Sequence, residues 1–227
     1  MLETLSVTDG VVDFIRSKII SGELKSGQRL TESQLSSELG ISRPPIREAF
    51  RILEHERAII NIPRKGVHVN KLTIQDCHEV YRVREMLEFC AIDLIKEQNI
   101  SDLSGAYAMQ KMVASLSIPP KEDIAQRLRY HKIFFDFHAK IIEAAANEWL
   151  SKFYYSLETT LRRYQFQYIY LPGASTPSIE EHDNILRLLK AEAFEDAKKC
   201  LKAHIARTVK LLEISMNDEK NVRVIDK

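Results

Sequence analysis

Between residues 9 and 21 the apolar residues Val11, Val12, Phe14, Ile15, Ile19 and Ile20 recur at helical spacing, which predicts an amphipathic helix ending near Gly22. The next stretch, SGELKSGQRL, has two glycines and no long apolar run, so it reads as a turn region. Thr31 then offers an N-cap to a short helix with Leu35 and Leu39 on its apolar face, closed by Gly40. Ser42 opens a third helix with Ile46, Ala49, Phe50 and Leu53 on the inner face. Pro44 and Pro45 fall in its first turn, where a missing N–H costs little. Two short helices joined by LGIS predict a helix-turn-helix. Ile59, Ile60 and Ile62 lead into a Pro-Arg-Lys-Gly turn, and Val67 and Val69 alternate beyond it, which predicts a two-stranded hairpin wing with a basic tip.

From Leu72 onward the pattern is helical with almost no strand signal. Helices are expected from Thr73 to about Gln98, Ser101 to about Leu116, about Asp123 to Ala146, about Trp149 to Tyr170, Ser178 to Lys190, and Phe194 to about Met216. The fold class is therefore mainly α: an N-terminal winged helix-turn-helix over residues 1–71, an all-α bundle over 72–217, and a polar tail over 218–227.

Composition narrows the class of function. The 227 residues carry 33 basic and 32 acidic side chains, for a net charge of +1, which excludes a polybasic nucleic-acid glue but not a local DNA-binding patch. Three cysteines without a CxxC pair point to a reducing compartment. No apolar run approaches a membrane span, and the first ten residues lack the basic and apolar regions of a secretory signal, so a cytoplasmic protein without a membrane partner is expected.

The local charge is more informative than the total. Arg43, Arg47 and Arg51 lie i, i+4, i+8 on one drifting stripe of the third helix, and Arg64 and Lys65 sit at the hairpin tip. From Arg43 to Lys65 there are six basic residues against three acidic, a local excess that suits a polyanion, although such a stripe is also what a solvated, ion-paired helix face looks like.

In the helical part, three histidines on three helices face the expected core. His138 shares a stripe with Phe134, Ile141 and Ala145; His182 with Ile179, Leu186 and Leu189; His204 with Ala197, Leu201, Thr208 and Leu211. Each is by itself an ordinary hydrogen-bonded core residue, but imidazoles converging from separate helices also build metal sites. Arg84 lies on the inner stripe of the first long helix. A buried arginine needs an anion, either Glu88 one turn on or the carboxylate of a bound effector. Arg162 or Arg163, with Tyr164 and Tyr168, are further candidates to line an effector cavity.

Residues 9–70, with their I-x-x-G-x-L, G-x-x-L-x-E, L-G-I-S-R-x-P-x-R-E-A and P-x-x-G-V-x-V motifs, resemble the DNA-binding domain of the GntR family of bacterial transcription regulators. The resemblance implies Ser42, Arg43 and Arg47 as the main recognition-helix contacts, with the Gly66 backbone in the minor groove. Arg64 and Lys65 are added on charge, and Arg51 as a phosphate contact. Ser26, Pro44 and Arg57 stand where proline, threonine and glycine are common in the family.

Residues 76–210 resemble the FadR-type ligand-binding domain of that family, through Y-R-V-R-E-M-L-E, F-H-x-x-I-x-x-A-A-x-N-x-x-L and E-H-x-x-I followed by a last-helix histidine. Many members hold a divalent metal on a carboxylate and three histidines, and the metal helps hold a small carboxylate effector. His138, His182 and His204 match the histidines, but the carboxylate position is Phe134. Asp136 is about 200° around the helix from His138, and His131 lies roughly 10 Å away along the axis, so neither replaces the missing ligand. A metal here would have three protein nitrogens, which suits Zn²⁺ or Ni²⁺. The resemblance implies a homodimeric, non-enzymatic, effector-controlled repressor of operator DNA. The rival reading is a metal-dependent enzyme or metal-sensing regulator using the same histidines, against which stands a phenylalanine where a general base would be wanted.

Overall fold

The computed structural model describes residues 6–168, 170–171 and 174–225. The chain enters α1 (Val7–Ser21) through a capping box between Ser6 and Asp9. α2 (Glu32–Leu39) begins under the Thr31 hydroxyl, which accepts from the Gln34 N–H, and ends at Gly40. Gly40 has φ 65°, a left-handed conformation that a Cβ disfavours, and it makes the tight turn into α3 (Arg43–His55). Val11, Ile15 and Ile19 of α1, Leu35 of α2, and Ile46, Ala49 and Leu53 of α3 close one apolar core.

The expected hairpin is present as β2 (Ile59–Ile62) and β3 (Gly66–Val69), but it belongs to a three-stranded antiparallel sheet of order β1-β3-β2. β1 is Arg29–Leu30, inside the stretch expected to be only a turn; it pairs Arg29 with His68 and Leu30 with Val67. Two residues are too few to show an alternation, so only the tertiary partner reveals the strand. Arg57, which precedes β2 in place of the family's glycine, has φ 56°. The left-handed backbone explains why glycine is usual there.

The described residues divide into two compact units with the boundary between Leu72 and Thr73. The second is helical throughout its described part: α4 (Ile74–Glu97), α5 (Ser104–Ser115), α6 (Ile124–Ala144), α7 (Glu148–Ser156), α8 (Glu158–Tyr168), α9 (Ser175–Lys190) and α10 (Phe194–Ile225). Within this unit α6 packs against α4, α5, α7 and α8, and α10 packs against α4, α8 and α9.

The single helix expected over 149–170 is two helices. α7 closes at Leu157, whose N–H bonds back to the carbonyls of Tyr154 and Tyr155. Leu150 and Tyr154 of α7 and Leu161 and Tyr164 of α8 are all buried. α10 runs past the expected stop at Met216 and through most of the expected tail to Ile225.

Candidate functional site

In the first unit, Ser42 occupies the N-cap of α3 but makes no side-chain cap hydrogen bond. The reason is in the sequence: the N-cap oxygen accepts from the second or third helical N–H, and those residues are Pro44 and Pro45, which have none. The exposed Ser42 hydroxyl is left at the head of the helix beside the exposed Arg43.

Arg47 is exposed but forked onto Glu32 of α2 by two 2.8 Å hydrogen bonds, not onto a neighbour in its own helix. Arg51 pairs with Glu48 at 3.0 Å, not with Glu54. Both pairs lie in solvent, where such contacts are worth about 0–1 kcal/mol and yield readily to a phosphate. At the wing, Arg64 and Lys65 are exposed, and Gly66 has φ 85°. A Cβ on Gly66 would meet the Arg29 guanidinium at 3.7 Å, so β1 brings a further cation to the wing that the linear pattern did not mark.

In the second unit the three histidines converge. His138 on α6, His182 on α9 and His204 on α10 are 1%, 1% and 4% exposed. One ring nitrogen from each lies within 4.8 Å of the others. The His138 and His182 Nε2 atoms are 3.1 Å apart. Two nitrogens bound to one ion at about 2.0–2.1 Å are separated by roughly 3.0–3.4 Å, so the spacing suits a shared ion.

The rings are held from behind. The His138 Nδ1–H donates to Glu88 Oε2 at 2.8 Å, and the His204 Nδ1–H donates to Glu181 Oε2 at 2.7 Å. Each carboxylate therefore leaves the Nε2 lone pair of its histidine aimed inward, the usual outer-sphere support of a metal-binding imidazole. The His182 ring stacks on Phe137 at 3.9 Å. Its Nδ1 is buried without a partner. Burial and neighbouring positive charge, from Arg84 in all three cases, hold all three imidazoles below their ordinary pKa. They are thus neutral, as ligation requires. The donor set fits a divalent transition metal.

Glu181 is held at about pKa 2: burial pushes it up, but hydrogen bonds from His204 and Arg207 outweigh that. Arg207 also donates to the Tyr168 and Ser178 hydroxyls. Neither Glu181 nor Arg207 was a candidate from the sequence. The one signal available in the sequence is that Glu181 directly precedes His182 in the E-H-x-x-I motif.

Arg84, 1% exposed, meets both readings offered for it. Its Nε donates to Glu88 Oε1 at 2.6 Å, while Nη2 has no hydrogen-bond partner and the side chain lines the histidine cavity. The cavity encloses about 30 Å³ and is also lined by His131, Phe134, Gln165, Tyr168, Ser175, Ser178 and Thr208. Arg162 and Tyr164 are not in that lining. Arg162 donates to Glu158 and to the Leu128 carbonyl, and the Tyr164 hydroxyl donates to the Thr73 carbonyl. On α8 the residues that turn to the cavity are Gln165 and Tyr168, one position on from Tyr164 and a further turn along. Asp136 pairs with Lys132 and takes no part.

A wing beside a recognition helix in one unit, with a polar cavity buried in an all-α unit of the same chain, defines the class of winged helix-turn-helix transcription regulators. Residues 7–69 match the family model of bacterial regulatory proteins of the gntR family, and residues 79–207 match the FCD domain. The chain belongs to the gntR family of bacterial regulatory proteins, in the branch that carries an FCD domain.

Among its relatives is the uncharacterized HTH-type transcriptional regulator YdhC of Bacillus subtilis, 30% identical over 54% of this chain and 57% of that protein. Another is the gluconate operon transcriptional repressor of Bacillus licheniformis, 28% identical over 66% of this chain and 60% of that protein. The matched stretches thus span less than two thirds of either relative. A crystal structure assigned as a transcriptional regulator GntR from Rhodococcus sp. RHA1 shares the fold, with a TM-score of 0.72 at 22% identity over 90% of this chain and 96% of that one. Among the described residues no helix is long and apolar enough to cross a membrane.

Proposed function

We propose that the protein is a repressor that binds operator DNA as a homodimer and is released when a small carboxylate occupies the helical unit beside a metal on His138, His182 and His204. The observation that carries the reading is the meeting of three neutral imidazoles with the unpartnered Nη2 of Arg84 in one buried cavity. A bound Zn²⁺ or Ni²⁺ supplies a Lewis acid for a carboxylate oxygen. Arg84 supplies the guanidinium for the carboxylate's other oxygen, and Glu88 and Glu181 keep the His138 and His204 rings in place. Phe134 withholds the fourth protein ligand, which leaves more of the metal's shell to water or to the effector.

A cavity of about 30 Å³ has room for an ion and a water or two. An organic acid therefore enters only as the lining rearranges, and a ligand that prefers the rearranged lining shifts the protein toward it. The coupling to operator affinity is expected at about 1–3 kcal/mol.

On the DNA side, Arg43 at the head of α3 is assigned to base edges with Ser42 beside it. Arg47, Arg51, Arg64 and Lys65 are assigned to phosphates, and the Gly66 backbone to the minor groove. A second copy is needed to read a two-fold operator. The helical unit has an apolar face suited to it: Val83 and Met86 on α4 and Trp149 and Phe153 on α7 are 43%, 64%, 69% and 59% exposed. α4 and α7 pack together. Arg82 and Glu79 on α4, and Lys152 and Glu148 on α7, give the rim both signs of charge, as a self-complementary contact requires.

Elemental analysis of purified protein, with His182→Ala as control, tests the metal. A transition metal near one per chain that the variant loses supports the site, and wild-type protein without metal after zinc loading refutes it. A duplex-binding titration against salt tests the regulator: affinity should fall steeply with salt, and Arg43→Ala should relax base preference.

A further inference from the structure

The cavity has a second polar end that neither the metal nor Arg84 uses. His131 on α6 is 2% exposed, and its Nε2 is buried with no hydrogen-bond partner. Gln165 on α8 is 8% exposed, and its Oε1 is likewise buried and unpartnered. Both line the cavity that holds the three histidines. His131 precedes His138 by two helical turns, roughly 10 Å along the axis. Phe134 lies one turn from each, its ring 6.0 Å from that of His182. The cavity is thus polar at both ends and aromatic between them.

We propose that His131 and Gln165 form a hydroxyl-binding subsite, and that the effector is a hydroxy acid whose carboxylate sits at the histidine–Arg84 end while its hydroxyl reaches this one. The inference rests on the effector reading above and adds the class of molecule. A hydroxyl is the smallest group that meets both atoms, because it accepts from an imidazole N–H and donates to an amide oxygen. A second carboxylate does not fit, since its lone pairs would face the Gln165 Oε1. Among the described residues no cation lines this end: Arg127 and Arg162 each keep a buried, unpartnered Nε, but neither lines the cavity, and their other nitrogens donate to the Lys121 and Phe166 carbonyls and to Glu158. Burial, with Arg127 and Arg162 nearby, pushes His131 down to about 3, so a neutral ring faces the ligand.

The test is calorimetric titration of the full chain, zinc present, with butyrate, hexanoate and benzoate, each against its terminally hydroxylated analogue and each aliphatic acid against the dicarboxylate of matching length. The hydroxyl should tighten binding about tenfold or more on at least one framework, because an analogue lacking it leaves buried polar atoms unpaired. The dicarboxylate should bind more weakly than the hydroxy acid. Gln165→Met and His131→Phe should each abolish the preference while the unsubstituted acid still binds. Ligand-free Gln165→Met should melt no lower than wild type, since it removes a buried, unpartnered acceptor. Acids that bind equally with and without the hydroxyl on every framework, or a preference that survives both substitutions, overturn the subsite alone. Failure of every acid to bind overturns the effector reading and the subsite with it.

Discussion

Lowering the pH from 7.5 to 5.5 should strip the helical unit of much of its stability through its buried histidines, while Glu88, whose pKa burial raises, opposes the loss. His131, His138 and His182 are buried, and burial holds each well below the ordinary histidine pKa, His131 at about 3. In the unfolded chain they titrate near about 6.5. Folded values below unfolded ones mean that acid favours the unfolded chain. Stability is full above about pH 6.5, falls as the pH drops through it, and for His131 goes on falling until about pH 3. At pH 5.5 His131 alone costs about 1.4 kcal/mol, and His138, His182 and His204 add to the loss in the same direction. A domain is held folded by roughly 5–15 kcal/mol, so the loss is a sizeable part of it. Glu181, held at about 2, loses its contribution only below about pH 4.5 and stays outside this window. The assay is urea unfolding followed by far-UV circular dichroism at several pH values, with chelator present so that metal release does not add to the slope. His131→Phe should take about 1.4 kcal/mol out of the difference between pH 7.5 and pH 5.5. A midpoint that is flat between pH 7.5 and 5.5, or a slope unchanged in His131→Phe, would refute the claim that these imidazoles are buried and neutral.

Glu181→Gln should weaken zinc binding by about 10- to 100-fold in competition with a chromophoric chelator, because the carboxylate that orients His204 is lost while the ligand itself stays. Arg57→Gly should raise stability by about 1 kcal/mol in urea unfolding, since it removes a side chain from a φ of 56° at an exposed position. Met86→Glu should shift the molar mass measured by light scattering toward that of a single chain without changing the helical signal, because Met86 is 64% exposed and needs no partner within its own chain. A dimer unaffected by that charge would place the second copy elsewhere.

Much of the local structure was legible in the linear pattern. The helical period of Val11, Ile15 and Ile19, the caps at Thr31 and Thr73, and the alternation around Arg64-Lys65-Gly66 are short-range signals, and each predicts its element without knowledge of the rest. The three inward histidines were legible for the same reason: a face of a helix is a local property.

What joins those faces is not local. β1 is two residues long and exists because β3 passes beside it. The break at Leu157 lies where the helical period runs on unbroken, since Leu150, Tyr154, Leu161 and Tyr164 would share one face of a straight helix, so the linear pattern does not mark it. Of the α8 candidates Tyr168 lines the cavity, but that Gln165 joins it while Arg162 and Tyr164 do not depends on the rotation of α8 against its neighbours, which a helical period does not specify. The sequence determined which face most of the helices turn inward, the three histidines included. The tertiary structure decided that His138, His182 and His204 meet within 4.8 Å, that Glu88 and Glu181 stand behind them, and that His131 and Gln165 close the other end of the cavity. Those relations join residues from five helices, and only the packing of a finished core sets such distances.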